Sequence, residues 1–249
     1  MLRRVIHIII WLCVFTYLVI ALTFTERMED TQMVGYIGVD LMDSTEFQFV
    51  DREDVIRVLQ LRGFKISGMP LDSIDRSGVR EAVYDIPEVK DVNVFYTPDG
   101  ELHISIWQRK PVVRIKSGRL DYYLDEDNLP LPFSPRFTPK VLIITGSDDV
   151  TLAQEKLFNL AVFIRQDPFF NALVQEIHIN KEEQLEIIPR VGEQRIFMGG
   201  PENYEWKLTK LMAFYKKALP NLGWNKYSSI DLRFGDQVVC KKIEYSSLK

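Results

Sequence analysis

The sequence predicts an α+β protein with three parts: an apolar N-terminal helix, a small β-α-α-β-β unit, and a β-rich unit with two helices. Three observations predict this fold. A charge-free apolar run opens the chain, helix-spaced and alternating apolar segments follow it, and short strand-like segments dominate the second half. A chain of 249 residues is long enough for one or two folded units beyond the first helix.

Composition excludes several classes of protein. The chain has 31 Lys+Arg against 35 Asp+Glu and a formal charge of -4, whereas nucleic-acid binders concentrate a basic excess. Its 13 Gly and 12 Pro are spread along the chain, which excludes collagen-like and low-complexity classes. Two cysteines cannot form a disulfide scaffold. We therefore expect a folded protein that does not bind nucleic acid.

Residues 5–24 contain no Asp, Glu, Lys or Arg. A helix rises ~1.5 Å per residue, so ~20 apolar residues cross the hydrocarbon core of a bilayer. Arg3 and Arg4 precede the run and acidic residues follow it, which places the N-terminus in the cytoplasm. A cleaved signal peptide is the alternative, although its apolar core would be only ~7–15 residues. We expect a cytoplasmic tail over 1–4, a transmembrane helix over 5–24 and a stalk over 25–36.

The first folded unit is predicted over residues 37–110. Residues 37–41 alternate as a strand, and Asp51 has the position of a helix N-cap, with Asp54 three residues on. Gly63 is the expected stop of that helix.

A second helix and two strands complete this unit. The helix holds the apolar stripe 79–86 and is expected to have Asp72 or Ser73 as its cap. Strands over 89–96 and 102–107 are joined by Thr97-Pro98-Asp99-Gly100, a strong turn sequence.

The second unit is predicted over residues 111–249. Asp148 and Asp149 are expected to cap its first helix, which holds the stripe 157–164, and the second helix holds the stripe 208–215. Lys207, Lys210, Lys216 and Lys217 should face solvent, with contact to anionic lipid or a partner as the alternative. Strand patterns occur at 112–115, 120–124, 141–145, 174–179, 185–188, 195–198, 227–234 and 238–243.

Motifs for catalysis, phosphate binding and metal binding are missing from the sequence. It contains no G-x-S-x-G, G-x-x-x-x-G-K, G-x-G-x-x-G, H-E-x-x-H or C-x-x-C. The three histidines, His7, His103 and His178, are scattered, and zinc binding would need distant carboxylates. The acidic run 125–128 lacks a calcium-loop pattern because Leu129-Pro130 follows it, so we expect an exposed turn. The sequence predicts no catalytic residue, cofactor, metal or small-molecule substrate.

Four segments carry a family resemblance: 86–94, 106–113, 123–128 and 227–234. Their order and spacing resemble the bacterial cell-division family FtsQ, called DivIB in Gram-positive organisms. Asn128 stands where the family has Gly, a replacement that still permits a left-handed turn. The resemblance implies a POTRA-like domain over 37–110 followed by an FtsQ-type β domain.

The resemblance also implies a function. FtsQ-like proteins are non-enzymatic, single-pass scaffolds of the divisome in the inner membrane at the septum. They bind FtsB- and FtsL-like division proteins and couple early to late components for septal wall synthesis. Two alternatives remain at this point: a POTRA-containing translocation or assembly factor, and a membrane-anchored peptidoglycan enzyme with paired carboxylates.

The expected partner site is the last strand, because an outer strand presents unpaired backbone groups to an incoming strand. Phe234-Gly235-Asp236-Gln237 should form a tight hairpin before it. By the resemblance, Arg233 contacts a partner carboxylate and Phe234 is an aromatic anchor; a core position is the alternative for Phe234. Lys241 and Lys242 could instead protect the edge from aggregation. The predicted partner-binding residues are Arg233, Phe234, Gly235, Val238, Val239, Cys240 and Lys241.

Overall fold

The structure, a computed structural model, describes residues 2–29, 33–118, 120–146 and 153–243. The chain separates into two compact units, Met1–Gln108 and Arg109–Lys249. Both helices and strands contribute to each unit, so the predicted mixed α+β class is confirmed.

Helix α1 spans Leu2–Glu29 and is longer than the predicted segment 5–24. The expected stalk 25–36 is therefore helical over its first residues, which include Glu and Arg, both good helix formers. Trp11, Phe15 and Tyr17 are each more than 70% exposed: 72%, 71% and 74%. Among the described residues, no helix has the combined length and apolarity needed to cross a membrane.

The first unit has the predicted β-α-α-β-β order. Its three strands form one sheet in which the third strand lies in the middle, parallel to the first and antiparallel to the second. A 3-10 turn, Leu71–Ser73, precedes the second helix of the unit. The elements are β1 (Ile37–Leu41), α2 (Arg52–Leu61), α3 (Arg76–Tyr84), β2 (Val89–Tyr96) and β3 (Leu102–Gln108).

Side-chain caps fix where the two helices begin. Asp51 and Asp54 form a reciprocal capping box, as predicted, and Gly63 follows the helix with φ +82°. The predicted cap of α3, Asp72 or Ser73, is wrong. Asp75 caps α3 because its carboxylate accepts a hydrogen bond from the amide of Gly78.

Gln108 organises the loop that follows β1. The side chain is 1% exposed, and its Oε1 accepts hydrogen bonds from the amides of Phe49 and Val50 at 2.9 and 3.0 Å. Its Nε2 donates to the Asp43 carboxylate at 3.1 Å and to the Phe47 carbonyl at 2.9 Å. A buried amide with all these partners holds the loop against the sheet.

The second unit is built on one nine-stranded sheet. Its strand Pro130–Pro132 was not predicted, since a Pro-Leu-Pro segment has no alternating apolar pattern. The strands are β4 (Pro111–Ser117), β5 (Leu120–Asp125), β6 (Pro130–Pro132), β7 (Leu142–Thr145), β8 (Val174–Ile179), β9 (Leu185–Pro189), β10 (Arg195–Gly199), β11 (Tyr227–Asp231) and β12 (Val239–Lys242). Their order in the sheet is β12-β11-β10-β9-β8-β7-β4-β5-β6.

Four α-helical segments, not the two predicted, lie between these strands in the described residues. Asp167 follows the first of these helices and is the N-cap of the second. Its carboxylate accepts hydrogen bonds from the backbone amides of Phe169 and Phe170. The proposed caps Asp148 and Asp149 lie outside the described residues. The helices are α4 (Phe158–Gln166), α5 (Pro168–Leu173), α6 (Tyr204–Ala213) and α7 (Leu219–Leu222), with π turns at Ala153–Leu157 and Phe214–Ala218.

The core of the second unit joins the sheet to these helices. Leu160 and Ile164 of α4 and Leu208 and Leu211 of α6 are buried with the inward side chains of the central strands. Both predicted helix stripes are therefore core contacts.

Asp125 is buried, so the prediction of an exposed turn at 125–128 is wrong for its first residue. One carboxylate oxygen accepts a hydrogen bond from Arg109 Nε at 2.6 Å, and the other accepts from the amides of Asp127 and Leu129. Asn128 has φ +58°, the left-handed conformation expected from its position. Residues 125–128 therefore form a turn that the carboxylate of Asp125 stabilises through hydrogen bonds to the backbone.

Candidate partner-binding surface

Strand β12 lies at one edge of the nine-stranded sheet. It pairs antiparallel with β11, with Val239 opposite Asp231 and Cys240 opposite Ile230. No strand of the described chain lies on its other side. The predicted strand 238–243 is therefore present, slightly shorter, at the predicted kind of position.

The two faces of β12 differ in exposure. Cys240 lies opposite the fully buried Ile230 and packs against the core, as Val238 does, and burial raises the pKa of the Cys240 thiol. Val239 is 41% exposed and Lys241 is exposed. A segment docking beside β12 would thus meet Val239 and Lys241 side chains on one face.

The predicted tight hairpin at 234–237 is wrong. Strand β11 ends at Asp231 and β12 begins at Val239, so residues 232–238 form a longer loop. Lys210 of α6 binds the backbone of this loop. Its ammonium donates to the carbonyl oxygens of Leu232 at 3.1 Å and Gly235 at 2.7 Å, and also to that of Phe234.

Arg233 already has a partner within the chain. Its guanidinium makes a forked contact with Asp231, with Nη2 to Oδ2 at 2.6 Å and Nε to Oδ1 at 3.0 Å. The hydrogen bond from Arg233 lowers the pKa of Asp231. The Arg233 side chain is still 52% exposed, which leaves N–H groups at the surface for a second acceptor.

Phe234 is 45% exposed, so it is not the core aromatic of the alternative interpretation. Trp206, 55% exposed, lies at the same loop and its Nε1 donates to the Gly235 carbonyl at 3.4 Å. Gly235 has no heavy atom within 4 Å of an added Cβ, so its place in the loop does not depend on the absence of a side chain. Trp206 was not predicted, and Lys210 was predicted only as a lysine that faces solvent, lipid or a partner. Their four-residue spacing on a helix places both toward this loop.

The four lysines of α6 and of the π turn that follows it are not all solvated. Lys207 donates to the Gly200 carbonyl at 2.8 Å, and burial lowers the pKa of this lysine. The Lys216 ammonium lies 5.2 Å from the centre of the Phe169 ring. The predicted solvent-facing role is wrong for Lys207 and Lys210, while Lys216 and Lys217 are exposed as predicted.

Histidines of the two units lie in separate polar clusters. His103 Nδ1 is 2.8 Å from the Asp40 carboxylate and its Nε2 is 3.4 Å from Glu101; the hydrogen bond with Asp40 raises the pKa of His103. Thr145 donates its hydroxyl proton to Glu176 at 2.6 Å and lies 2.9 Å from His178 Nδ1. The described residues contain no group of His, Cys, Asp or Glu able to hold a metal ion.

Comparisons with known proteins cover both units. Residues 110–241 match the family model described as FtsQ/DivIB, C-terminal related, and residues 35–107 match a POTRA-like domain. The chain is 28% identical over 193 residues to the cell division protein FtsQ of Rhodothermus marinus, an alignment covering 73% of this chain and 70% of that protein. Because the match to the FtsQ/DivIB model spans more than half of this chain, the chain belongs to the FtsQ/DivIB family.

Proposed function

We propose that the protein is a non-enzymatic scaffold of the bacterial division machinery. It binds FtsB- and FtsL-like division proteins through its extracytoplasmic units and couples early to late components during septal wall synthesis. Its layout is a tail (1–4), a membrane helix (5–24), a stalk that begins within the helix (25–36), a POTRA-like domain (37–110) and a β domain (111–249). Family membership and the similarity to a protein named for cell division support this proposal.

Helix α1 is the proposed membrane anchor, with its N-terminus in the cytoplasm. The charge-free sequence of residues 5–24 supports it, and so do large apolar side chains such as Trp11 and Phe15 that are exposed to solvent in the isolated chain. Apolar exposure of this extent is unfavourable in water and favourable in lipid. A single anchor would hold the remaining chain at the outer surface of the inner membrane.

The single observation that carries the partner proposal is the edge position of β12. Main-chain N–H and C=O groups on the outer side of an edge strand pair with an added strand, and exposed side chains decide which strand is accepted. Val239 and Phe234 provide exposed apolar area at this edge. Lys241 and Lys242 are exposed on β12 itself and add positive charge along it, so we expect the partner segment to be acidic.

Site-specific photocrosslinking in dividing cells tests this interface. A photoreactive residue at Val239 should capture a small single-pass division protein with an acidic extracytoplasmic segment. The matched control is position 133, where Phe133 is 37% exposed beside β6 at the opposite edge of the sheet. Capture of the same protein with equal yield from both positions would contradict an interface at β12.

Two further experiments separate the interface from the overall function. Phe234→Ala should reduce partner capture while the folded protein remains in the membrane, because it removes exposed apolar area. Phe133→Ala is the control for loss of an exposed aromatic. Depletion of the whole protein should give filamentous cells with incomplete septa. Normal division after complete loss, in cells with no second copy, would overturn the scaffold proposal.

A further inference from the structure

A small cleft in the second unit combines a buried apolar floor with a basic rim. Val112, Leu142, Ile164 and Val174 form the floor and are at most 7% exposed. Three cationic residues line the same cleft: Lys140, Arg165 and Arg190.

The fold brings these residues together at one end of the sheet. Strands β4, β7 and β8 are adjacent and parallel, and the floor contains residues from the start of each: Val112, Leu142 and Val174. Arg190 follows the last residue of β9, which runs antiparallel to β8, so it reaches the same end. Its backbone amide donates to the Leu173 carbonyl at 2.8 Å, which fixes the chain beside the cleft.

The rim carries more positive charge than its surroundings neutralise. Arg165 lies 3.5 Å from a carboxylate oxygen of Glu126. Lys140 and Arg190 have no side-chain hydrogen bond or ion pair within the described parts of the chain. Arg165 in the last turn of α4 also complements the helix dipole, but Lys140 and Arg190 belong to no helix, so that explanation does not extend to them.

The volume and chemistry of the cleft restrict its ligand. Its volume is about 70 Å³. One water-sized group occupies ~10–15 Å³ of such a volume, so the cleft has room for about five to seven heavy atoms. A phosphate ion would turn an oxygen toward the apolar floor, where it would lose hydrogen bonds. A carboxylate on a short aliphatic group places its charge at the guanidinium and ammonium groups and its carbon atoms on the floor.

We propose that this cleft binds the free C-terminal carboxylate of a peptide that ends in a small aliphatic residue. The carboxylate lies between Arg190, Lys140 and Arg165, and the terminal side chain lies on the floor. This site is separate from β12, because strands β9, β10 and β11 lie between β12 and β8 in the sheet. The proposal therefore does not depend on the proposed partner interface.

Titration of the full chain in detergent micelles with acetyl-Ala-Ala tests the proposal. The free acid should bind at least about tenfold more tightly than the C-terminal amide, because a charge-assisted hydrogen bond contributes about that factor. Inorganic phosphate should bind more weakly than the free acid. Equal binding of acid and amide, tighter binding of phosphate, or no binding of the acid at millimolar concentration would overturn the proposal.

Substitutions of two residues that line the cleft test whether the peptide binds there. Arg190→Gln and Lys140→Gln change exposed side chains, so the fold should persist, and each should weaken binding of the free acid by at least about tenfold. Arg195→Gln on β10 is the matched control: this exposed arginine pairs with Glu186 away from the cleft and should leave binding unchanged. Unchanged binding in both cleft variants, or the same loss in the control, would contradict the assignment.

Discussion

Replacing Asp125 by Asn should strongly destabilise the second unit. The Asp125 side chain is 2% exposed and its partner Arg109 is 14% exposed, so the ion pair is largely removed from water. The variant removes the carboxylate charge that faces the guanidinium. Both oxygens of Asp125 accept hydrogen bonds, one from Arg109 Nε and the other from the amides of Asp127 and Leu129. In the Asn variant an NH₂ group replaces one of these oxygens, so one set of donors loses its acceptor.

The expected loss follows from these contacts. Removing one member of a buried ion pair costs about 3–5 kcal/mol of unfolding free energy. For a unit of this size, each 1 kcal/mol lowers the Tm by about 2–4 °C, so the Tm of the second unit should fall by about 6–20 °C. Hydrogen exchange under increasing urea, followed by mass spectrometry on peptides from residues 109–243, measures this unit separately from the first.

Asp91→Asn is the matched control for Asp125→Asn. Asp91 pairs with Arg80 at 3.0 Å, but both side chains are more than half exposed, at 59% and 51%. An exposed pair contributes about 0–1 kcal/mol, so this variant should be nearly neutral. If Asp125→Asn unfolded at the same urea concentration as the wild type, the buried ion pair would not be a stabilising contact. An equally large loss in Asp91→Asn would show that burial does not decide the effect.

Three further perturbations test other contacts by the same hydrogen-exchange measurement. Gln108→Leu should cost about 2–5 kcal/mol because it leaves buried loop amides without an acceptor, whereas exposed Gln60→Leu should not; equal stability of the two variants would contradict this. The raised pKa of His103 means that its protonated form stabilises the fold, fully below about pH 6.5 and less as pH rises through the folded pKa. The first unit should therefore be more stable at pH 6 than at pH 8, and His103→Asn should abolish that difference. Lys210→Met should speed exchange in the loop 232–238 and Lys217→Met should not; unchanged exchange in both would remove Lys210 as the loop's anchor.

Local patterns predicted most strands because alternation reports a half-buried sheet directly. Residues 174–179 were predicted with both ends correct, and Ile177 and Ile179 are buried while His178 between them is partly exposed. The sequence pattern did not predict strand β6, because Pro130–Pro132 is a strand through its pairing with β5 and has no alternation of its own. Periodicity cannot detect an element whose only signal is its neighbour.

Choices between equivalent local signals could not be made from the sequence. Asp72, Ser73 and Asp75 are all good cap residues within four positions, and only the backbone geometry shows that Asp75 reaches the Gly78 amide. The loop before β12 shows the opposite failure. Gly235-Asp236 is a favourable turn pair, but Lys210, far away in the sequence, binds the surrounding carbonyls and imposes a longer loop.

Lys241 and Lys242 allow the two interpretations of the β12 edge to be separated. As protecting charges, they prevent self-pairing of the edge whatever their sign, because like charges repel. As partner contacts, they must be positive to attract an acidic segment. The double variant Lys241→Glu, Lys242→Glu should therefore sediment as the wild type does but lose partner capture from Val239, whereas the double Gln variant should self-associate more and also lose capture. Undiminished capture by the Glu variant would show that the lysines only protect the edge, and that backbone pairing with Val239 and Phe234 selects the partner.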